Sequence, residues 1–329
     1  MQAKPFYHIR PNKFIDRQLF IRMLGGLSKK FPLKDYQYIG FGSFMFDDFK
    51  MIHNQIGIYD MISLESDAEI FKRAKFNKPY NCIELKQETS TKYITDLSVD
   101  KSLIFWLDYS VPSEIGSQFA DFSLLLNKVN AGDIIRITLN ANPSSLSEGS
   151  EQEHTDEIYN KRADKFMEKV DKEYIPYADI DNINNWMSRD KYPKLLLRCL
   201  KKTASKILQQ NPYQNKRIIP LFSSIYADGQ QMVTLTSLII EKDEATEDEI
   251  TKILLEYDYV NFKWDEPSLI KVPALTAKEI LHINQMLPAE ASFDVTEIEK
   301  IIGFSFPDKS INSYIDYYKY YPNFHHVNL

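Results

Sequence analysis

Short apolar runs alternate with amphipathic segments over the first 140 residues of the chain. Runs of strand length occur at residues 36–40, 58–65, 80–85, 102–109 and 134–140. Between them, apolar residues recur at helical spacing, as at positions 44, 45, 49 and 52. Strands that alternate with helices in this way form parallel sheets with right-handed crossovers. The pattern therefore predicts an α/β fold with a doubly wound, mostly parallel sheet.

The second half of the chain has a different pattern. A polar linker and two charged helical segments predict a helical insertion at about residues 150–215. Two long apolar runs then flank Asp228 and Gly229, which is typical of an antiparallel hairpin. This hairpin would close a seven-stranded sheet. We therefore predict an N-terminal helical cover (1–34), an α/β domain (35–240) and a C-terminal helical appendage (241–329).

Composition excludes several classes of protein. The 329 residues are 43% hydrophobic and carry a formal charge of −6, so nucleic acid is not an expected partner. The two cysteines, Cys82 and Cys199, offer neither a disulfide framework nor a Cys-x-x-Cys zinc pair. No apolar stretch is long enough to cross a bilayer. These features indicate a cytoplasmic protein that is not embedded in a membrane.

A glycine turn follows the first predicted strand. The residues are Gly40, Phe41, Gly42 and Ser43, and such a turn lets the backbone approach a nucleotide closely. Glu65, with Ser66 beside it, ends the second strand 23 residues beyond Gly42. An acidic side chain at that place can accept hydrogen bonds from ribose hydroxyls. Alternatively, the glycines only relieve crowding between strand and helix, and Glu65 is a solvated strand end.

The order of these elements resembles the class I S-adenosylmethionine-dependent methyltransferases over residues 35–240. The resemblance implies that the glycine turn holds the methionine part of S-adenosylmethionine and that Glu65 binds its ribose. It places the adenine region after the third strand, near Glu84 and Leu85. Two departures from the family pattern stand out. Tyr38 replaces an acidic residue before the turn, and no Asn-Pro-Pro-Tyr follows Leu107.

The resemblance also implies catalytic residues. The fourth strand of this family ends in a catalytic or metal-binding residue, which matches Asp108, and Tyr109 would pack against cofactor or substrate. Asp108 would serve as a base or orient a divalent ion, or it would simply cap the next helix. In metal-dependent O-methyltransferases further ligands follow this strand and the next, where Asn140 and Asn142 lie as weak candidates.

The leading interpretation is methyl transfer to an oxygen of a small-molecule or nucleotide-like acceptor. One alternative is a catalytically silent methyltransferase-like module that binds a protein partner through the aromatic C-terminal segment, which holds five tyrosines between Tyr314 and Tyr321. His325 and His326 follow that segment without an assigned role. Another alternative is a nicotinamide-dependent enzyme, although the Gly-x-Gly-x-x-Gly motif is incomplete because Met45 stands at its third glycine.

Overall fold

The computed structural model describes residues 10–149, 154–209, 215–242, 244–288, 295–306 and 310–322. The strands found there are β1 (Gln37–Gly40), β2 (Asp60–Leu64), β3 (Ile83–Lys86), β4 (Leu103–Asp108), β5 (Ile134–Asn140), β6 (Lys216–Asp228), β7 (Gln230–Glu241) and β8 (Ser268–Ile270). The helices are α1 (Pro11–Leu27), α2 (Asp47–Ile56), α3 (Ala68–Asn77), α4 (Ser90–Asp96), α5 (Ile115–Lys128), α6 (Thr155–Lys169), α7 (Tyr177–Ile180), α8 (Tyr192–Ala204), α9 (Glu244–Leu254), α10 (Ala277–Asn284), α11 (Val295–Ile302) and α12 (Ser310–Tyr317).

The strands form one eight-stranded sheet in the order β3-β2-β1-β4-β5-β7-β6-β8. Strands β1 to β5 pair in parallel, whereas β7 pairs antiparallel to β5. The chain leaves β1 on one side for β2 and returns on the other side to β4, so a topological switch point lies between β1 and β4. This order confirms the predicted doubly wound sheet with its hairpin. The short strand β8 lies in a region predicted to be helical.

The central strands are buried on both faces, which explains their continuous apolar character. All seven residues of β5 are buried, and so are five of the six residues of β4. One of them is a charged residue, Arg136, whose guanidinium lies 4.6 Å from the ring centroids of both Phe20 and Trp106. Its Nη1 donates a hydrogen bond of 2.6 Å to the Thr236 hydroxyl. Cation–π contacts and this bond compensate for burying the charge.

The buried carboxylate of Asp133 connects β4 and β5 by hydrogen bonds at the amino-terminal edge of the sheet. Asp133 precedes β5 and accepts hydrogen bonds from the backbone N–H groups of Leu103 (2.8 Å) and Asn130 (2.6 Å). Burial raises the pKa of Asp133 to about 6. The carboxylate thereby links the start of β5 to the start of β4, at the edge opposite to the one where ligands bind in such sheets.

The helical insertion packs closely on the sheet-covering helix α5. A Cβ added to Gly116 in α5 would lie only 2.0 Å from the backbone oxygen of Lys169, the last residue of α6. Within the insertion, Arg198 donates two hydrogen bonds to the Asp179 carboxylate, of 2.8 and 3.2 Å, and its guanidinium lies over the Trp186 ring. Gly116 is therefore required by the contact between two helices.

The chain forms two compact units. The larger comprises residues 20–225 and 230–268, and the smaller comprises residues 1–19, 226–229 and 269–329. Within the smaller unit, the side-chain amide of Asn12 donates a 2.8 Å hydrogen bond to the Asp228 carboxylate. Its side-chain oxygen accepts a 2.8 Å hydrogen bond from the backbone N–H of Val272. That unit has its own small core, which includes Ile283 and Tyr314. The predicted boundaries at residues 34 and 240 stay predictions.

Candidate active site

The glycine turn follows β1 directly and is tied to β2. The N–H of Gly42 donates to the buried hydroxyl of Ser63 over 3.1 Å. A Cβ on Gly42 would lie 2.7 Å from both that hydroxyl and the Phe46 ring, and a Cβ on Gly40 would lie 2.7 Å from the Tyr38 hydroxyl. Crowding inside the protein thus explains why glycine stands at both positions. This is the packing alternative that the sequence left open. Close approach of a ligand to the same turn remains compatible with it.

The backbone of this turn adopts rare conformations. Ser43 and Phe46 have φ angles of 49° and 53°, in the left-handed region that costs a non-glycine residue about 1–2 kcal/mol. Phe46 is fully buried, and its N–H donates to the Gly42 carbonyl over 2.9 Å. Helix α2 accordingly begins at Asp47, three residues later than the apolar spacing suggested. Such strained residues concentrate at functional sites, where the surrounding packing holds them.

Glu65 follows the last residue of β2 and is half-buried. One carboxylate oxygen, Oε1, accepts a 3.0 Å hydrogen bond from the N–H of Asp67. Burial raises the pKa of Glu65. Hydroxyl donors from a ligand would stabilise a carboxylate that is partly removed from water. Ser66 is exposed, and Asp67 caps α3 by accepting from the N–H groups of Glu69 and Ile70.

Glu84 lies on β3, the edge strand, which β2 separates from the glycine turn. Its side chain is exposed and forms an ion pair of 3.7 Å with Lys86. Strand β3 continues to Lys86, whose carbonyl accepts a 3.1 Å hydrogen bond from the N–H of Glu65. The carboxyl end of β3 thus lies two residues beyond Glu84. The sequence pattern placed that end one residue too early, at Leu85.

Asp108 is the last residue of β4, the strand next to β1 in the sheet, and Tyr109 follows it. Asp108 is half-buried and lies opposite Thr138 of β5, and the N–H of Tyr109 donates to the Thr138 carbonyl over 3.0 Å. The ring of Tyr109 meets the ring of Phe41 edge to face, with centroids 5.4 Å apart. The fold therefore brings the glycine turn and the end of β4 into direct contact at the switch point.

The Tyr109 hydroxyl belongs to a hydrogen-bond network that the sequence did not reveal. It donates to the buried carboxylate of Asp121 in α5 over 2.6 Å and lies 3.2 Å from the Ser90 hydroxyl. Ser90 and Thr91, at the start of α4, also donate to Asp121, over 2.5 and 2.6 Å. Burial, together with the Asp121 carboxylate, raises the pKa of Tyr109 well above its ordinary value. Its hydroxyl thus stays protonated and engaged, which leaves the ring to contact a ligand.

The amide groups of Asn140 and Asn142 shape the loop after β5. The side-chain oxygen of Asn140 accepts a 3.0 Å hydrogen bond from the backbone N–H of Asn142. The side-chain oxygen of Asn142 accepts a 3.2 Å hydrogen bond from the backbone N–H of Ser144. The Asn142 amide also donates 2.9 Å to Gln230. Both weak metal candidates thus have a structural use. Among the described residues, no group of three or more His, Cys, Asp or Glu could hold a metal ion.

The aromatic C-terminal segment packs on the core of the smaller unit. Tyr314 is buried and donates a 2.8 Å hydrogen bond to Asn284, and its ring meets that of Tyr321 edge to face. Tyr321 in turn lies 3.2 Å from the Pro273 carbonyl. His325 and His326 lie outside the described residues. These contacts give two of the tyrosines a structural role within the unit.

Comparison with known proteins identifies the family of this chain. The family model described as "Putative O-methyltransferase" matches residues 5–329, and the chain belongs to this family. No curated protein matches the sequence. Among solved structures, Trm1 from Pyrococcus horikoshii with S-adenosyl-L-methionine is 8% identical, with a TM-score of 0.43 over 73% of this chain and 58% of that chain. A putative O-methyltransferase from Klebsiella pneumoniae is 10% identical, with a TM-score of 0.36 over 69% of this chain and 90% of that chain.

Family and strand order together make this chain a class I S-adenosylmethionine-dependent methyltransferase by descent and fold. An O-methyltransferase needs a methyl donor, and the donor that the sequence resemblance implies is S-adenosylmethionine. The half-buried Glu65 at the end of β2 fits this cofactor, because a ribose presents the adjacent hydroxyl donors that such a carboxylate lacks. Among the described helices, none is long and apolar enough to cross a membrane.

Proposed function

We propose that this protein transfers a methyl group from S-adenosylmethionine to an oxygen atom of a small-molecule acceptor. The observation that carries the proposal is the meeting of the glycine turn with the end of β4 across the switch point, through the 5.4 Å contact between the Phe41 and Tyr109 rings. Ligands of open α/β sheets bind in the crevice at this point. When bound, the cofactor supplies an electrophilic methyl group on its sulfonium.

The cofactor would lie along the carboxyl ends of β1 and β2. The backbone of residues 40–43 would approach its methionine part, and Glu65 would accept hydrogen bonds from its ribose. Ser66 and Glu84 are exposed, so any contact from them would come from the rim of the site. The adenine would meet the residues that follow β3, beyond Lys86. The Tyr109 ring would pack against cofactor or acceptor, since its hydroxyl is bound to Asp121.

The acceptor would lie beyond the ends of β4 and β5. Asp108 is the carboxylate at that place, and we assign it the role of accepting the hydroxyl proton or orienting the hydroxyl for attack. The inserted helices border the same region. Arg162 of α6 donates to Ser144 (3.1 Å) and Ser147 (3.1 Å) in the loop after β5, and Gln231 donates to the carbonyls of Ala141 (2.9 Å) and Arg189 (2.7 Å). We propose that this insertion forms the acceptor side of the pocket.

Oxygen as the acceptor atom is supported by the family description and by a carboxylate, Asp108, at the end of β4. The test is transfer of labelled methyl from S-adenosylmethionine to paired compounds that differ only in carrying a hydroxyl or an amine. We expect label in the hydroxyl compounds, recovered as methyl ethers. Transfer to the amine members alone would contradict the oxygen assignment.

Replacing Glu65 by alanine is expected to weaken binding of S-adenosylhomocysteine by about 1–3 kcal/mol, because the ribose hydroxyls lose their charged acceptor. Calorimetric titration of the wild type and the variant measures this loss. Glu69→Ala is the matched control, since Glu69 is an exposed acid in the first turn of α3 whose ion pair with Lys72 is at the surface. An unchanged affinity in Glu65→Ala, or an equal loss in both variants, would place the ribose elsewhere.

A further inference from the structure

Three hydroxyl groups from two segments of the larger unit converge on one buried carboxylate. Asp121, in the middle of α5, is 3% exposed. Its Oδ2 accepts from Ser90 (2.5 Å) and Tyr109 (2.6 Å), and its Oδ1 accepts from Thr91 (2.6 Å). An ionised carboxylate is an acceptor on both oxygens, so it suits hydroxyl donors that arrive from two directions. Charge-assisted bonds of this kind are about twice as strong as neutral ones.

The donors lie on segments that border the candidate cofactor site. Ser90 and Thr91 begin α4, which follows β3, and Tyr109 follows β4. The Tyr109 ring also contacts Phe41, which stands between the two glycines of the turn after β1. A path of direct contacts thus leads from Asp121 through Tyr109 to the glycine turn. The Phe41 ring therefore packs against a ring whose hydroxyl is held by Asp121.

We infer that Asp121 is a positioning residue for cofactor binding, which holds the segments after β1, β3 and β4 in their binding geometry through Tyr109, Ser90 and Thr91. The inference rests on the proposed function, because it assumes that these segments contact S-adenosylmethionine. Asp121 itself would not touch the cofactor, since it is enclosed behind the three hydroxyl groups.

The test compares two buried carboxylates of the same unit. Asp121→Asn keeps the side-chain shape but replaces one acceptor oxygen by a donor, so the network cannot form as it stands. We expect the Kd for S-adenosylhomocysteine to rise about tenfold in calorimetric titration. We also expect amide hydrogen exchange to accelerate at residues 41–44 and 89–91 without any ligand. Asp133→Asn is the control, because Asp133 is fully buried and hydrogen-bonded but lies at the opposite edge of the sheet.

Asp133→Asn should lower the melting temperature and leave the Kd unchanged. A second variant, Tyr109→Phe, keeps the ring against Phe41 and removes only the hydroxyl. It tests the same inference if Asp121→Asn does not fold. We expect it to raise the Kd about threefold, and to add little to Asp121→Asn in the double variant, because Asp121→Asn already disrupts the bond to Tyr109.

The outcomes separate the inference from the proposed function. If the wild type does not bind S-adenosylhomocysteine, the proposed function fails and the inference falls with it. If the wild type binds, and Asp121→Asn or its substitute Tyr109→Phe binds equally well, only the inference is overturned. An equal rise of Kd in Asp133→Asn would also overturn it, since loss of stability alone would then explain the effect.

Discussion

Replacing Asp108 by asparagine is expected to reduce the rate of methyl transfer by about 10²- to 10⁴-fold, the usual contribution of a positioned acid or base. Affinity for S-adenosylhomocysteine should remain close to that of the wild type, because Asp108 lies at the end of β4, on the side that we propose for the acceptor. Turnover with labelled S-adenosylmethionine measures the first quantity, and calorimetric titration measures the second. A fall in kcat with an unchanged cofactor Kd would assign the side chain to the chemical step.

Asp100→Asn is the matched control for this variant. Asp100 is exposed and precedes the same strand at its amino-terminal side, where it interacts with Ser98. The control should retain both turnover and cofactor affinity. Full activity in Asp108→Asn would remove the residue from the mechanism. Loss of cofactor binding together with a lower melting temperature would instead indicate a structural role for Asp108, although Asp108 does not cap the next helix, whose N-cap residue is Glu114.

Replacing Gly116 by alanine is expected to destabilise the larger unit by about 3 kcal/mol or more. The new Cβ would lie 2.0 Å from the Lys169 carbonyl oxygen, so the end of α6 must move away from α5 and disturb the packing of both helices. Thermal unfolding followed by calorimetry or circular dichroism measures the change. We expect a loss of several degrees in melting temperature.

Gly25→Ala is the control in the same experiment, and we expect it to stabilise the protein. Gly25 lies inside α1, is exposed, and has no atom within 4 Å of the place where a Cβ would be added. Alanine there should stabilise the helix by about 0.5–1 kcal/mol. If Gly116→Ala were as stable as the wild type, the close packing of α5 against α6 would be wrong.

The sheet could be predicted from the sequence because each of its parallel strands is a local pattern. A buried strand between helices reads as a short apolar run, and the runs at residues 36–40 and 102–109 correspond to β1 and β4. Strand β8 was not predicted, since three residues carry no recognisable periodicity. The start of α2 was predicted too early because the left-handed conformation of Phe46 depends on burial of its side chain and is not a local preference.

From the sequence, only those residues of the candidate site that lie at the ends of strands could be predicted. Glu65 and Asp108 follow or close apolar runs, so their positions at one edge of a parallel sheet followed from the strand assignment. Asp121 could not be found in this way. It lies 31 residues from Ser90 and 12 from Tyr109, inside an amphipathic helix where an aspartate is expected to face solvent. Its role depends on tertiary contacts that leave no pattern in the sequence.

The crowding at Gly40 and Gly42 shows a further limit of such predictions. A glycine turn after the first strand suggested close approach of a nucleotide, yet both positions also exclude a Cβ because of neighbouring side chains, Tyr38 for one and Ser63 and Phe46 for the other. The glycines alone therefore do not distinguish a binding turn from a packing requirement. That distinction rests on the half-buried Glu65 and on the contact between Phe41 and Tyr109.

Calorimetric titration of the wild-type protein with S-adenosylmethionine, S-adenosylhomocysteine, NAD and NADP tests the central claim most directly. The site at the ends of β1, β2 and β4 predicts one binding site for the two sulfur-containing ligands, with a Kd in the micromolar range that is usual for enzyme ligands, and none for the nicotinamide nucleotides. Binding of a nicotinamide nucleotide alone would contradict the claim in favour of a redox enzyme. Binding of neither class would contradict it in favour of a methyltransferase-like module without a cofactor.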